Sequence, residues 1–85
     1  MTHAVVFTRA AAKELAAVDR PIRVRVVRRI EALADNPRPP GWTALQGQPG
    51  YRIRVGGWRV LYTVSDETVT VLVVRVGPRG TVYRR

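Results

Sequence analysis

The chain has 85 residues, which is enough for one domain with one small core. Its 15 basic and 6 acidic residues give a net charge of +9, which points to nucleic acid, an anionic membrane surface or an acidic protein as partner. The lack of cysteine excludes disulfides and cysteine chemistry, and no apolar run approaches the ~18 residues of a membrane span, so we expect a cytoplasmic protein.

The first half of the chain predicts a strand followed by two helices. Residues 3–7 are β-prone, and Thr8 is a suitable N-cap for a helix that ends near Val18. Pro21 fits the first turn of a second helix over residues 19–34, whose apolar side chains recur at helical spacing. Helices joined by so short a connection are expected to form an antiparallel hairpin.

The second half predicts strands only. Residues 35–50 are rich in proline and glycine and are expected to form a connector that Trp42 and Leu45 hold against the core. Two strands then flank a Gly56-Gly57 turn, and a long β-branched strand covers residues 68–76. The prediction is a single α+β domain over residues 1–85, ordered β-α-α-β-β-β, with a helical hairpin on one face of a small, mainly antiparallel sheet.

The hairpin over residues 51–64 carries the most distinctive charges. A two-residue loop places Arg54 opposite Arg59, and strand alternation puts Arg52 on the same face. Like charges directly opposite each other are destabilising, so an anionic ligand would account for them, and guanidinium groups suit phosphate. The alternative is an arginine face that is merely solvated.

Other chemistry has little support. None of the six acidic residues lies within the hairpin, Asp66-Glu67 is typical of a turn, and the lone histidine, His3, is expected at the surface. We therefore predict neither a metal site nor a cofactor, and no hydrolytic triad around Ser65. Arginine and tyrosine remain as the candidate functional residues. A basic sheet with a tyrosine at its rim can hold an RNA backbone and stack a base.

The chain resembles the RelE/ParE superfamily of toxins from type II toxin–antitoxin pairs. Ala12, Leu15 and the Asn36-Pro37 pair agree with that superfamily in the first half of the chain. The runs that carry the resemblance are residues 45–47 (LQG), 51–55 (YRIRV), 57–62 (GWRVLY), 74–79 (VRVGPR) and 82–83 (VY).

RelE-type members cut mRNA in the ribosomal A site without metal, by attack of a ribose 2′-OH on its own phosphodiester. The resemblance therefore implies a ribosome-dependent endoribonuclease that inhibits translation. The implied partners are the ribosome, mRNA and a cognate antitoxin with an acidic segment, which would form a hetero-oligomer with the toxin. The implied catalytic residues are Arg52, Arg54, Arg59, Arg79 and Tyr83, with Arg75, Arg84 and Arg85 predicted to contact RNA.

One departure bears on the mechanism. RelE-type enzymes commonly have lysines at the positions of Arg52 and Arg54, and arginine is not a plausible general base. Two other functions stay open: a ParE-like gyrase poison, and a basic module that binds nucleic acid or ribosomes without catalysis. ParE-type relatives lack this basic set, so the arginines and tyrosine favour the ribonuclease.

Overall fold

The computed structural model describes residues 2–78, which form two helices packed on a five-stranded sheet. The strand order is β1-β5-β4-β3-β2, and only the β1–β5 pairing is parallel. The predicted α+β fold is confirmed. The elements in chain order are β1 (Ala4–Phe7), α1 (Arg9–Ala16), α2 (Arg20–Ala32), β2 (Thr43–Ala44), β3 (Tyr51–Val55), β4 (Trp58–Ser65) and β5 (Thr70–Pro78).

The predicted connector contains a strand that we did not predict. Thr43 pairs with Arg52 and Ala44 with Tyr51, which makes β2 a two-residue edge strand. So short a strand has no detectable alternation, and its pairing depends on the loop that follows it. That loop closes at Gly50, where φ is +125° and an added Cβ would lie 3.0 Å from the Tyr62 carbonyl oxygen.

The helices begin where the sequence indicates. The Thr8 hydroxyl accepts a hydrogen bond from the Ala11 N–H at 3.1 Å and so caps α1. Helix α2 has Pro21 in its first turn. Its apolar stripe packs on the sheet through Val26, Ile30 and Leu33, which are fully buried.

Arg23 falls within the apolar arc of α2, and the structure gives the reason. Its Nη1 donates to the Val18 carbonyl at 3.0 Å and lies 3.4 Å from the Ala16 carbonyl. Carbonyl groups at a helix C-terminus lack partners within the helix and attract cations. Arg23 therefore ties the end of α1 to the start of α2.

The core lies between the helices and one sheet face. Ile53, Val60 and Val76 are in register across β3, β4 and β5, and each is at most 1% exposed. Tyr62 is buried beside them, and its hydroxyl donates to the Pro37 carbonyl at 2.6 Å. Burial raises the pKa of Tyr62 to about 12, so its hydroxyl stays protonated.

Strand β5 contains a bulge that changes which way its side chains face. Leu61 pairs with Arg75 and Tyr62 with Val73, so Val74 is an extra residue on β5. Strict alternation from Val73 would point Arg75 into the core. The bulge instead places Val76 in the core and moves Arg75 to the opposite side.

Strands β5 and β3 are longer than the outer strands β1 and β2 that pair with them. Side chains from the helices and the α1 N-cap cover the strand edges that are left over. Beyond the end of β1, the Thr8 hydroxyl donates to the Val74 carbonyl, and Glu14 accepts from the Val76 N–H at 2.8 Å. Beyond β2, the Arg29 Nη1 lies 3.4 Å from the Arg54 carbonyl oxygen. Backbone groups at these edges are thereby paired, which protects them from association with other strands.

Candidate nucleic-acid interface

The hairpin has the register that the sequence predicts. Val55 pairs with Trp58, Arg54 with Arg59, Ile53 with Val60 and Arg52 with Leu61. Gly56 supplies the positive φ that the turn requires, at +61°. Because alternate residues point to opposite faces, Arg52, Arg54 and Arg59 lie on the face away from the helices, which we call the arginine face.

Arg59 is the central residue of this face. It is only 5% exposed, and its Nε is buried without a hydrogen-bond acceptor among residues 2–78. Its neighbour on β3 is Arg54, and its neighbour on β5 is Gly77, which has no side chain. A buried guanidinium without a counter-charge is costly, so this position favours an anion beside it.

Arg54 is exposed, and neither it nor Arg59 forms an ion pair with any acidic residue in the part of the chain that the structure describes. Arg52 is half-buried, and its Nη2 donates to the Thr43 hydroxyl at 3.1 Å. Strand β2 thus orients a guanidinium of the arginine face.

A groove of about 430 Å³ adjoins the arginine face at the free end of β3. It extends over the strand edge to α2, which contributes Arg29. Arg29 was not among the predicted site residues, and the packing of α2 beside β3 brings it to the groove. The groove is lined by Arg29, Pro40, Gly41, Thr43, Arg52 and Arg54.

Arg75 has a different environment from the other predicted residues. Its Nη2 lies 2.7 Å and its Nε 2.9 Å from Glu14 Oε2, so its charge is balanced by an acidic partner. Burial alone would raise the pKa of Glu14, but the hydrogen bonds from Arg75 and from the Val76 N–H, with the charge of Arg75, lower it. Arg75 therefore fixes α1 to the edge of β5.

The other predicted site residues are Arg79, Tyr83, Arg84 and Arg85, and all four lie outside the described residues. Their assignments remain predictions from the sequence. The structure thus brings Arg52, Arg54 and Arg59 together on one sheet face, whereas Arg75 is paired with Glu14 of α1.

The second polar cluster lies at the β4–β5 turn. Asp66 Oδ1 lies 3.3 Å from His3 Nε2, and Arg38 Nη2 lies 3.3 Å from Asp66 Oδ2 and 3.2 Å from the Tyr51 hydroxyl. The hydrogen bonds from His3 and Arg38 lower the pKa of Asp66.

No three histidine or acidic side chains cluster as metal ligands within residues 2–78, and no helix there is long and apolar enough to cross a membrane.

Comparison with known proteins agrees with the fold. The family model of the ParE toxin of type II toxin–antitoxin systems matches residues 5–83. A RelE-like toxin protein of Escherichia coli is 32% identical over 81 residues, which cover 93% of this chain and 85% of that protein.

Two solved toxin–antitoxin complexes contain chains of the same fold. The similar chain of the RelBE2 complex of Mycobacterium tuberculosis is 28% identical, with a TM-score of 0.82 over 93% of this chain and 100% of that one. The similar chain of the archaeal RelE–RelB complex of Pyrococcus horikoshii is 25% identical, with a TM-score of 0.82 over 95% and 99% of the two chains. The chain belongs to the ParE toxin family, within the RelE/ParE superfamily, and is the toxin of a type II toxin–antitoxin system.

Proposed function

We propose that this toxin is a ribosome-dependent endoribonuclease that cleaves mRNA in the ribosomal A site and needs no metal ion. The observation that carries the proposal is the arginine face. Arg54 and Arg59 face each other on adjacent strands, Arg52 lies beside them, and residues 2–78 provide no acidic partner for either member of the facing pair. Such a group of guanidiniums is suited to a phosphodiester.

In the proposed reaction, a ribose 2′-oxygen attacks the adjacent phosphorus while the bond from phosphorus to the 5′-oxygen breaks. The 2′-OH loses a proton and the leaving 5′-oxygen gains one, so the products are a 2′,3′-cyclic phosphate and a 5′-OH end. Negative charge on the non-bridging oxygens increases in the transition state. Arg54 and Arg59 would stabilise that charge, and Arg52, oriented by Thr43, would hold the strand.

The burial of Arg59 makes it the strongest electrostatic contributor in this mechanism. A charge at 5% exposure is screened little by water, so its attraction to a phosphate is larger than that of an exposed arginine. Neither Arg52 nor Arg54 can accept the 2′-OH proton at neutral pH. We propose that Tyr83 stacks on a base of the mRNA, and that the proton passes to water or to a ribosomal group.

We also propose that an antitoxin with an acidic segment covers the arginine face and forms a hetero-oligomer with the toxin. The solved relatives are toxin–antitoxin complexes, which supports a partner of this kind. The net charge of +9 on so small a domain favours fast, steered association with an acidic chain.

One observation favours a second function. The matching family model is that of ParE toxins. The resemblance to ParE-type members implies a gyrase poison as the alternative. The same family membership is compatible with either activity. The arginine face favours the ribonuclease because ParE-type relatives lack this basic set, and preorganised guanidiniums can stabilise the charge that develops on a phosphodiester during cleavage.

Parallel assays separate the two functions. Purified toxin is incubated with translating ribosomes, and mRNA cleavage is mapped by primer extension; in a second reaction, DNA gyrase is tested for trapped cleavage complexes. We expect cut mRNA on ribosomes, intact free mRNA and no trapped gyrase. Trapped gyrase with intact mRNA would support the gyrase poison. If mRNA stays intact and no gyrase is trapped, the result would support a module that only binds nucleic acid or ribosomes.

A further inference from the structure

A second group of arginines surrounds the tip of the hairpin. Arg25, Arg28 and Arg29 of α2 line a cavity of about 260 Å³ with Val55 and Gly56 of the hairpin. We call it the α2–turn site. No ion pair involves any of these three arginines in the described part of the chain, and no acidic residue lines the cavity.

The turn allows this close approach because Gly56 lacks a side chain. An added Cβ at Gly56 would lie 3.6 Å from the Arg25 Nη2 and 3.9 Å from its Nη1. The Arg25 guanidinium therefore lies over the bare backbone of the turn. With φ at +61°, Gly56 also fits a conformation that other residues rarely adopt.

Arg29 connects the α2–turn site to the arginine face. It lines both this cavity and the groove that contains Arg52 and Arg54. Its Nη1 lies 3.4 Å from the Arg54 carbonyl oxygen, which holds the guanidinium at the edge of β3. A basic track therefore runs from the sheet face around the end of β3 to α2.

The chemistry of the track favours a phosphate backbone over an acidic peptide. Its charged groups are all guanidiniums, which donate hydrogen bonds in a planar fork and accept none. Apart from the stems of its arginines, the α2–turn site offers one apolar side chain, Val55, and that residue is only 5% exposed. A peptide would therefore find almost no apolar anchor, whereas an RNA strand presents a phosphate at every nucleotide.

We propose that the α2–turn site binds the phosphodiester backbone of RNA that flanks the strand held on the arginine face. The inference rests on the proposed function, because the arginine face must first hold RNA for the track to extend it. The two are tested separately, since binding at α2 is measured without any cleavage.

The test compares two double variants of the full chain. Arg25→Ala with Arg28→Ala removes two of the three arginines of the α2–turn site and keeps Arg29, while Arg9→Ala with Arg20→Ala removes the same charge from exposed positions outside it. Binding of a short, unstructured RNA oligonucleotide is measured against salt concentration. We expect the first variant to bind about tenfold more weakly at low salt, and its slope of log K against log salt to become shallower by about 0.7 for each phosphate that the variant no longer binds.

Three results would overturn the proposal. One is an equal loss of RNA affinity in both double variants, which would show an effect of net charge alone. Another is unchanged RNA binding with weakened binding of a polyglutamate peptide, which would assign the site to an acidic protein. The third is no salt-dependent RNA binding by the unaltered protein. If the toxin binds RNA through α2 but cleaves no mRNA on ribosomes, the proposed function is contradicted while the assignment of the α2–turn site still holds.

Discussion

Arg54 and Arg59 lie directly opposite each other across the β3–β4 hairpin, and neither forms an ion pair within residues 2–78. Two like charges at adjacent strand positions repel each other, so the pair does not stabilise the sheet. Arg59 adds the cost of burial. Local arrangements that oppose folding are expected at functional sites, where a ligand supplies the missing interaction.

The first prediction separates activity from stability at this pair. Arg54→Ala relieves the repulsion, so the free energy of unfolding should stay unchanged or rise by less than about 1 kcal/mol. Loss of a preorganised charge should lower the rate of mRNA cleavage roughly 100-fold or more. Thermal melting and single-turnover cleavage are the measurements, with Arg9→Ala as the charge-matched control. A large fall in melting temperature with full activity would make Arg54 structural.

The hairpin was predictable because local geometry determines it. A two-residue glycine turn fixes the register, and the register fixes which arginines share a face. The N-cap at Thr8 and the buried stripe of α2 follow from equally local rules. These features required no knowledge of tertiary contacts.

The features that escaped prediction depend on contacts between distant elements. Arg23 breaks the apolar pattern of α2 because it caps α1, and Arg75 departs from strand alternation because of the bulge at Val74. The predicted start of the last strand at residue 68 was too early, because Val69 has a φ of +52° and belongs to the turn. Arg29 reaches the site only through the packing of α2 against β3.

The second prediction concerns the ion pair between Glu14 and Arg75. Glu14→Gln removes the charge but leaves an oxygen that can accept from the Val76 N–H. Because the pair is partly exposed, we expect the unfolding free energy to fall by about 1 kcal/mol, or the melting temperature by about 4–8 °C. Cleavage on ribosomes should be unchanged.

The same pair makes stability depend on pH in a definite direction. The folded state lowers the pKa of Glu14 from its ordinary 4.5, so the carboxylate stabilises the protein above that pH. This stabilisation disappears as the pH falls through the lowered value. The difference between the native chain and Glu14→Gln should therefore be largest near neutral pH and shrink in acid. A difference that grows in acid would contradict the assignment.

The third prediction tests the role of Tyr83. If the ring stacks on a base, Tyr83→Phe should retain most of the single-turnover rate, while Tyr83→Ala should lose it. Tyr62→Phe is the matched control, because it removes a hydroxyl that is buried against the Pro37 carbonyl and should affect stability alone. If the phenylalanine variant is as inactive as the alanine variant, with ribosome binding retained in both, the hydroxyl takes part in the chemistry.

The fourth prediction concerns antitoxin binding. An acidic segment that covers the arginine face should associate quickly at low salt and much more slowly as ionic strength rises. Stopped-flow association with the purified antitoxin across a salt series measures this dependence. A rate that does not change with salt would indicate a mainly apolar interface on the helices.

The most direct measurement of the central claim is the chemistry of the RNA ends produced on translating ribosomes. Purified toxin and its Arg54→Ala and Arg59→Ala variants are added to ribosomes that carry a defined mRNA, and the fragments are analysed by mass spectrometry. We predict cleavage in the A-site codon by the native toxin, with a 2′,3′-cyclic phosphate and a 5′-OH, and roughly 100-fold slower cleavage by each variant. Intact mRNA with the native toxin, or equal cleavage by all three proteins, would contradict the proposal.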